Sequence, residues 1–213
     1  KYQDNFIYDL LHNNFESHKS LIQLGKVWGW DLSQPHYLFL LDYRGLELGK
    51  EASPEPAVLK KIISQVVSHA IVGEMEEQLV IMVAAGEEKS RGERKKQQKA
   101  LAQELLDKIR GQFPQVSFFM GMGKFYPSTA DLCRSYQEAK TALELGRLSY
   151  KDNPIYHFED LGIMALLSSI RYEQLHDYCQ EFLADLIAFD QDNKANLLET
   201  LQVYLAHNGD SKE

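Results

Sequence analysis

Carboxylates are the side chains of this chain whose spacing could support chemistry. Asp42 closes an apolar run, and Glu74, Glu76 and Glu77 cluster in a short segment between two further apolar runs. If the first run is a strand and the second group caps a hairpin beside it, these carboxylates approach one another. Two facing carboxylates can hold a Mg²⁺ together with substrate phosphates. Strand ends and hairpin turns also take acidic residues simply because water solvates them there. That reading is preferred, so no catalytic residue, metal or cofactor is assigned, and Asp42, Glu74, Glu76 and Glu77 stand as weak metal candidates.

Other chemistry finds less support. The 7 histidines sit in no GxSxG-type signature, and neither HExxH nor an EF-hand loop occurs. Gly121-Met-Gly-Lys-Phe-Tyr-Pro127 follows an apolar run and looks loosely like a phosphate loop, but it lacks a third glycine. Pro127 also stands where the helix would begin, so a strand-exit turn is expected. Residues 89–99 hold Lys89, Arg91, Arg94, Lys95, Lys96 and Lys99, but Glu87, Glu88 and Glu93 are mixed in, with no aromatic to stack on bases. That pattern reads as a solvated helix start.

The balance of charge points the same way. With 23 basic and 31 acidic residues in 213, the chain carries a net charge of −8 and has a pI near 5.4. Duplex DNA binding relies on clustered Lys and Arg, so this stretch is not expected to read DNA. Cys133 and Cys179 are far apart, which excludes a disulfide scaffold or cysteine-rich zinc site and suits a reducing compartment. No apolar stretch approaches the ~20 residues of a membrane span, and no signal pattern opens the chain. Lys1 in place of Met and the polar end at Asp210–Glu213 read as cuts in a longer cytoplasmic protein.

The elements that would carry these residues follow from periodicity. Phe6, Ile7, Leu10 and Leu11 predict a first helix, and Leu21, Leu24 and Trp28 a second. The length and aromatic content of Tyr37–Leu41 favour a buried central strand over a helix. Ser53-Pro54 predicts a helix start, with Val58, Ile62, Ile63, Val66, Val67 and Ala70 on one face. Residues 70–72 and 79–84 predict a hairpin around the acidic turn 73–78. A helix with Leu101, Leu105 and Ile109, a strand over Val116–Met120 ending in Gly121-Met-Gly123, and a helix with Leu132, Tyr136, Ala139 and Leu143 come next. A short strand near Pro154–Phe158 and helices over about 160–170, 172–189 and 194–208 complete the chain. Over 36–123 the order is strand, helix, strand, strand, helix, strand. That is the α+β, ferredoxin-like arrangement, with a four-stranded antiparallel sheet and both helices on one face.

Three motifs then carry a resemblance. The run Gly121-Met-Gly-Lys-Phe-Tyr-Pro-Ser-Thr-Ala-Asp-Leu-Cys-Arg-Ser-Tyr-Gln-Glu-Ala-Lys-Thr-Ala-Leu-Glu-Leu-Gly146 resembles the GxG strand end and SYxEAxxAL helix of PucR/CdaR-type transcriptional regulators, which include sugar-diacid and purine-catabolism regulators. Phe158–Leu167 and Asn196–Gly209 resemble two later motifs of that family, in the same order. The resemblance implies a central module that is a degenerate relative of diguanylate cyclase (GGDEF) domains. It places a Gly-Gly-acid-Glu-Phe turn in the hairpin of an active cyclase, where this chain reads Val72-Gly-Glu-Met-Glu-Glu-Gln78. A glycine pair lets backbone come close to a nucleotide, and only one glycine is present here.

The resemblance further implies linker helices over 1–30, a GGDEF-like domain over 31–158, and a helical segment over 159–213 that leads to a helix-turn-helix beyond Glu213. The function expected is a non-catalytic regulatory and dimerisation domain, with DNA contacted only through that further domain. A homodimer and an unidentified small-molecule effector are the expected partners, with no membrane. Two rivals are a Mg²⁺-dependent nucleotide-binding or cyclase-like enzyme and a metabolite-sensing domain in its own right.

Overall fold

The fold is described by a computed structural model over residues 2–15, 17–43, 54–86, 89–149 and 153–206. Two helices, α1 (Tyr2–Leu11) and α2 (His18–Val27), precede β1 (His36–Asp42) and α3 (Pro56–Val66). The hairpin β2 (Ile71–Met75) and β3 (Gln78–Ala84) leads to the long α4 (Arg91–Gln112) and β4 (Phe119–Met122). Next come α5 (Leu132–Ser149), β5 (Ile155–His157), α6 (Ile163–Leu167), α7 (Tyr172–Asn193) and α8 (Leu197–Ala206). No helix among the described residues is long and apolar enough to cross a membrane.

The sheet order is β2-β3-β1-β4-β5. Its first four strands pair antiparallel in the ferredoxin-like order, and β5 adds a fifth strand parallel to β4. Every residue of β1 is buried because both faces of the sheet are covered, which explains its unbroken apolar run. Tyr37, Phe39 and Leu41 pack with Leu59 and Ile63 of α3 and with Leu105, Leu106 and Ile109 of α4. The predicted helix pair therefore does share one face. Leu38 and Leu40 meet Ile7, Leu10 and Leu11 of α1 and Tyr136, Ala139 and Leu143 of α5 on the other. Burying one such Leu or Phe contributes about 1.5–3 kcal/mol, and Leu40→Ala would cost about 2–5 kcal/mol through the cavity it leaves.

Several local expectations shift. The α3 helix starts at Pro56 with Glu55 at its cap, not at Pro54, and Ser53 lies outside the described residues. On α3 the buried positions are Leu59, Ile62 and Ile63, while Val58 faces outward. The acidic turn shrinks to Glu76-Glu77, both at positive φ, so Gly73, Glu74 and Met75 lie inside β2. Gly121 also changes place, because β4 runs through it to Met122 instead of ending before it, and Gly123 follows the strand. Helix α7 continues past its expected end near 189 and stops only where Lys194 turns left-handed, at φ 50°. The Asp190 carboxylate then accepts from the backbone N–H groups of Leu197 and Leu198, both at 2.9 Å, and caps α8.

Two compact units result, Lys1–Ala165 and Leu166–Glu213. The helices expected as a linker over 1–30 instead belong to the first unit, because Phe6, Ile7, Leu10, Leu11 and Leu21 are core residues. In the second unit α7 and α8 bury no residue fully.

Candidate functional site

At the hairpin end of the sheet, strand pairing sets Asp42 opposite Gln78. The Asp42 carboxylate is buried. It accepts from the Gln78 amide at 3.2 Å and pairs with Arg147 of α5 at 3.0 Å. The same guanidinium lies 4.2 Å over the Phe119 ring. Glu76 pairs with Lys140 of α5 at 2.9 Å, and this hydrogen bond holds the Lys140 ammonium above its ordinary pKa. Glu74 and Glu77 point to solvent, and the Glu74 backbone N–H donates to Asp4 at 3.1 Å. The pocket between Asp42, Gln78, Lys140 and Arg147 measures about 80 Å³ and has both signs of charge on its walls. Among the described residues, no group of three or more His, Cys, Asp or Glu side chains is arranged to hold a metal. Strand adjacency thus works as expected, but cations from α5 occupy the carboxylates.

The glycine of this hairpin has a different duty from nucleotide approach. A Cβ on Gly73 would stand 2.5 Å from Ile7 Cδ1, so its missing side chain makes room for α1.

The opposite end of the sheet holds a polar network that the sequence did not suggest. The Gln98 amide donates to the carbonyls of Leu38 and Gly123, each at 3.2 Å, which ties α4 to both β1 and the exit of β4. Its oxygen lies 3.3 Å from His157 Nε2, while His157 Nδ1 accepts from the Glu159 N–H at 3.1 Å. An accepting Nδ1 fixes the tautomer, so Nε2 carries the proton and donates to Gln98. Burial favours that neutral form and pushes the His157 pKa down to about 4. Arg94 is buried beside it, donates to the Lys89 carbonyl at 3.1 Å, and stacks 4.0 Å over the Phe125 ring. Arg94 and Gln98 lie in the segment expected to be a solvated helix start. The available signal was the row Arg94, Gln98, Ala102, Leu105 and Ile109, whose spacing of three to four puts the two polar residues on the core face.

Residues 12–145 match the GGDEF-like domain family. This chain belongs to that family. It is 24% identical over 195 residues to the Carbohydrate diacid regulator of Escherichia coli (strain K12), covering 91% of this chain and 50% of that protein. It is 29% identical over 152 residues to the Proline-responsive transcriptional activator PutR of Bacillus subtilis (strain 168), covering 68% of this chain and 35% of that protein. The chain therefore spans half the length of the first relative and about a third of the second.

In this GGDEF-like domain, the GxG and SYxEA motifs are the two sides of one packing contact. A Cβ on Gly121 would collide with the Ala139 carbonyl, and one on Gly123 with the Ser135 carbonyl and hydroxyl. The two glycines let α5 lie directly on β4. Ser135 then donates to the Lys124 carbonyl at 2.9 Å, and Tyr136 fills the core. Glu138 accepts from the Lys124 N–H at 2.8 Å and from the Tyr126 hydroxyl at 2.7 Å, which pins the strand-exit loop. Burial and the Glu138 carboxylate together push the Tyr126 phenol up to about 12. The Phe158–Leu167 motif contributes Glu159 and Asp160, which pair with Arg91, Lys95 and Lys99 of α4.

Proposed function

We propose that this chain is the central, non-catalytic regulatory domain of a cytoplasmic transcriptional regulator, coupling an upstream sensing part to a DNA-binding part elsewhere in the protein. Membership of the GGDEF-like family and two relatives named as regulators support the class. The observation that carries the non-catalytic reading is the occupation of Asp42 and Glu76 by Arg147 and Lys140. A cyclase needs a free carboxylate there to meet a metal and nucleotide phosphates, and here two α5 cations take that place. The acidic net charge of −8 fits DNA reading by another segment. In this reading the helical segment 159–213 leads toward a helix-turn-helix domain.

Homodimerisation is part of the proposal. The second unit leaves Tyr178, Phe182, Phe189, Val203, Tyr204 and Leu205 exposed, a density of apolar surface that suits association between copies.

A mobility-shift comparison tests the division of labour. The full-length regulator should bind its operator specifically and this chain should not. Specific binding by this chain alone would overturn the proposal. Titration with Mg²⁺ and GTP should release no heat, whereas turnover of GTP that is lost in Asp42→Ala would establish the enzymatic rival.

A further inference from the structure

In a chain of net charge −8, the cavity at the α4 end of the sheet is lined by cations. Its volume is about 770 Å³, in the range of small-molecule sites. Lys89, Arg91, Arg94, Lys95, Lys124 and Arg134 line it, with Glu159 as the one carboxylate among the described lining residues. Acids at the rim balance part of this charge. Arg91 and Lys95 pair with Glu159 at 2.7 and 3.8 Å, Lys95 reaches Asp160 at 2.5 Å, and Lys124 meets Glu138 at 3.3 Å. Setting aside Arg94, which has further partners, five cations still stand against Glu138, Glu159 and Asp160 among the described residues. Arg134 has no carboxylate within ion-pair distance among the described residues, and instead stacks 4.8 Å over the Tyr126 ring. Like charges gathered in a concave, partly apolar site focus a positive potential and attract an anion.

The cations stand on two walls. Lys89, Arg91, Arg94 and Lys95 come from α4 and the turn before it, while Lys124 and Arg134 come from the β4 exit and α5. The second wall is rigid, since Glu138 and Ser135 hold the 124–126 loop. Phe125 and Tyr126 add ring faces between the walls. The cavity lies beyond the carboxyl ends of the parallel pair β4 and β5 and at the amino end of α4, where the helix field also favours negative charge. It is at the other end of the sheet from Asp42.

We propose that this cavity binds a small molecule carrying an anionic group at each end, carboxylate or phosphate, one group on each wall. The site goes beyond the coupling reading and stands apart from it, because operator binding tests that reading and ligand binding tests this one.

Calorimetric titration of the full chain at low salt decides the matter, with succinate, adipate and pyrophosphate as dianionic probes and acetate and inorganic phosphate as single-group controls. At least one dianion should bind about tenfold more tightly than its single-group control, and more weakly as salt rises. Dicarboxylate against pyrophosphate separates the two chemistries. The exposed pair Lys89→Glu with Arg134→Glu should cost at least about tenfold in affinity at an unchanged melting temperature. A Lys140→Gln variant at the hairpin end should bind like the parent. No binding of any dianion at millimolar concentration, or equal binding by the charge-reversed variant, would overturn the proposal. So would retention of an RNA or DNA strand as the property which that variant loses.

Discussion

Replacing Arg147 by Met tests the reading of the hairpin end most directly. The Asp42 side chain is 1% exposed, and among its partners is the Arg147 guanidinium at 3.0 Å, itself 27% exposed. Removing one partner of a buried ion pair costs about 3–5 kcal/mol, because the remaining charge stays desolvated. Water reaches one side of Arg147, so the lower end of that range, about 3 kcal/mol, is the expected loss. The lost stacking on Phe119 adds about 0.5 kcal/mol. At about 2–4 °C per kcal/mol for a unit of this size, the combined loss of about 3.5 kcal/mol should lower the melting temperature by roughly 7–14 °C. Urea unfolding followed by Trp28 and Trp30, both packed against the core between the sheet, α1 and α5, gives the free energy. Asp42→Asn combined with Arg147→Met removes the stranded charge and should recover more than half of the loss. A single variant within about 1 kcal/mol of the parent, or a double variant no better than the single, would refute the view that Asp42 exists as the anionic half of a structural pair. Millimolar Mg²⁺ raising the parent's melting temperature would refute it from the other side, by showing a metal at Asp42.

Gly123→Ala should destabilise by about 1–3 kcal/mol in urea, since its methyl group meets the backbone of Ser135 and α5 must move off β4. His157 gives a pH signature. Its folded pKa is about 4 against an ordinary 6.5, so the unfolded chain binds the extra proton between those values. Stability should therefore fall as the pH drops from about 6.5 to 4 and level off below, by about 3 kcal/mol in total, and urea curves of His157→Gln should lose that part of the slope. Glu138→Gln should bring the Tyr126 phenol down from about 12 toward its ordinary value, as followed by ultraviolet absorbance against pH, with the part due to burial remaining.

The architecture was legible wherever apolar side chains made a period. Tyr37–Leu41 favoured a buried central strand, and Leu132, Tyr136, Ala139 and Leu143 named the face of α5 that is in fact buried. What stayed hidden were positions where a polar side chain does a core residue's work. Arg94 and Gln98 look like surface residues by type, and only their partners make burial tolerable: Phe125 for one, and the Leu38 and Gly123 carbonyls for the other. Asp42 posed the converse problem. Its neighbours in the sheet were readable from strand order, but Arg147 lies more than a hundred residues away, and no local pattern links them. Gly121 and Gly123, in and just after β4, read as a turn because their reason lies on a helix that follows later in the chain.

These particulars assign opposite characters to the two ends of one sheet. At the hairpin end, α5 closes the cleft by placing Lys140 and Arg147 on Glu76 and Asp42, leaving about 80 Å³. At the other end the same helix, through Ser135 and Glu138, holds a loop open against α4 and frames a cavity roughly ten times larger. Because α5 touches both, a shift of α5 along β4 that relaxed one end would strain the other. The GxG contact resists such a shift, since a helix lying directly on glycine backbone has no side chains between the surfaces to repack.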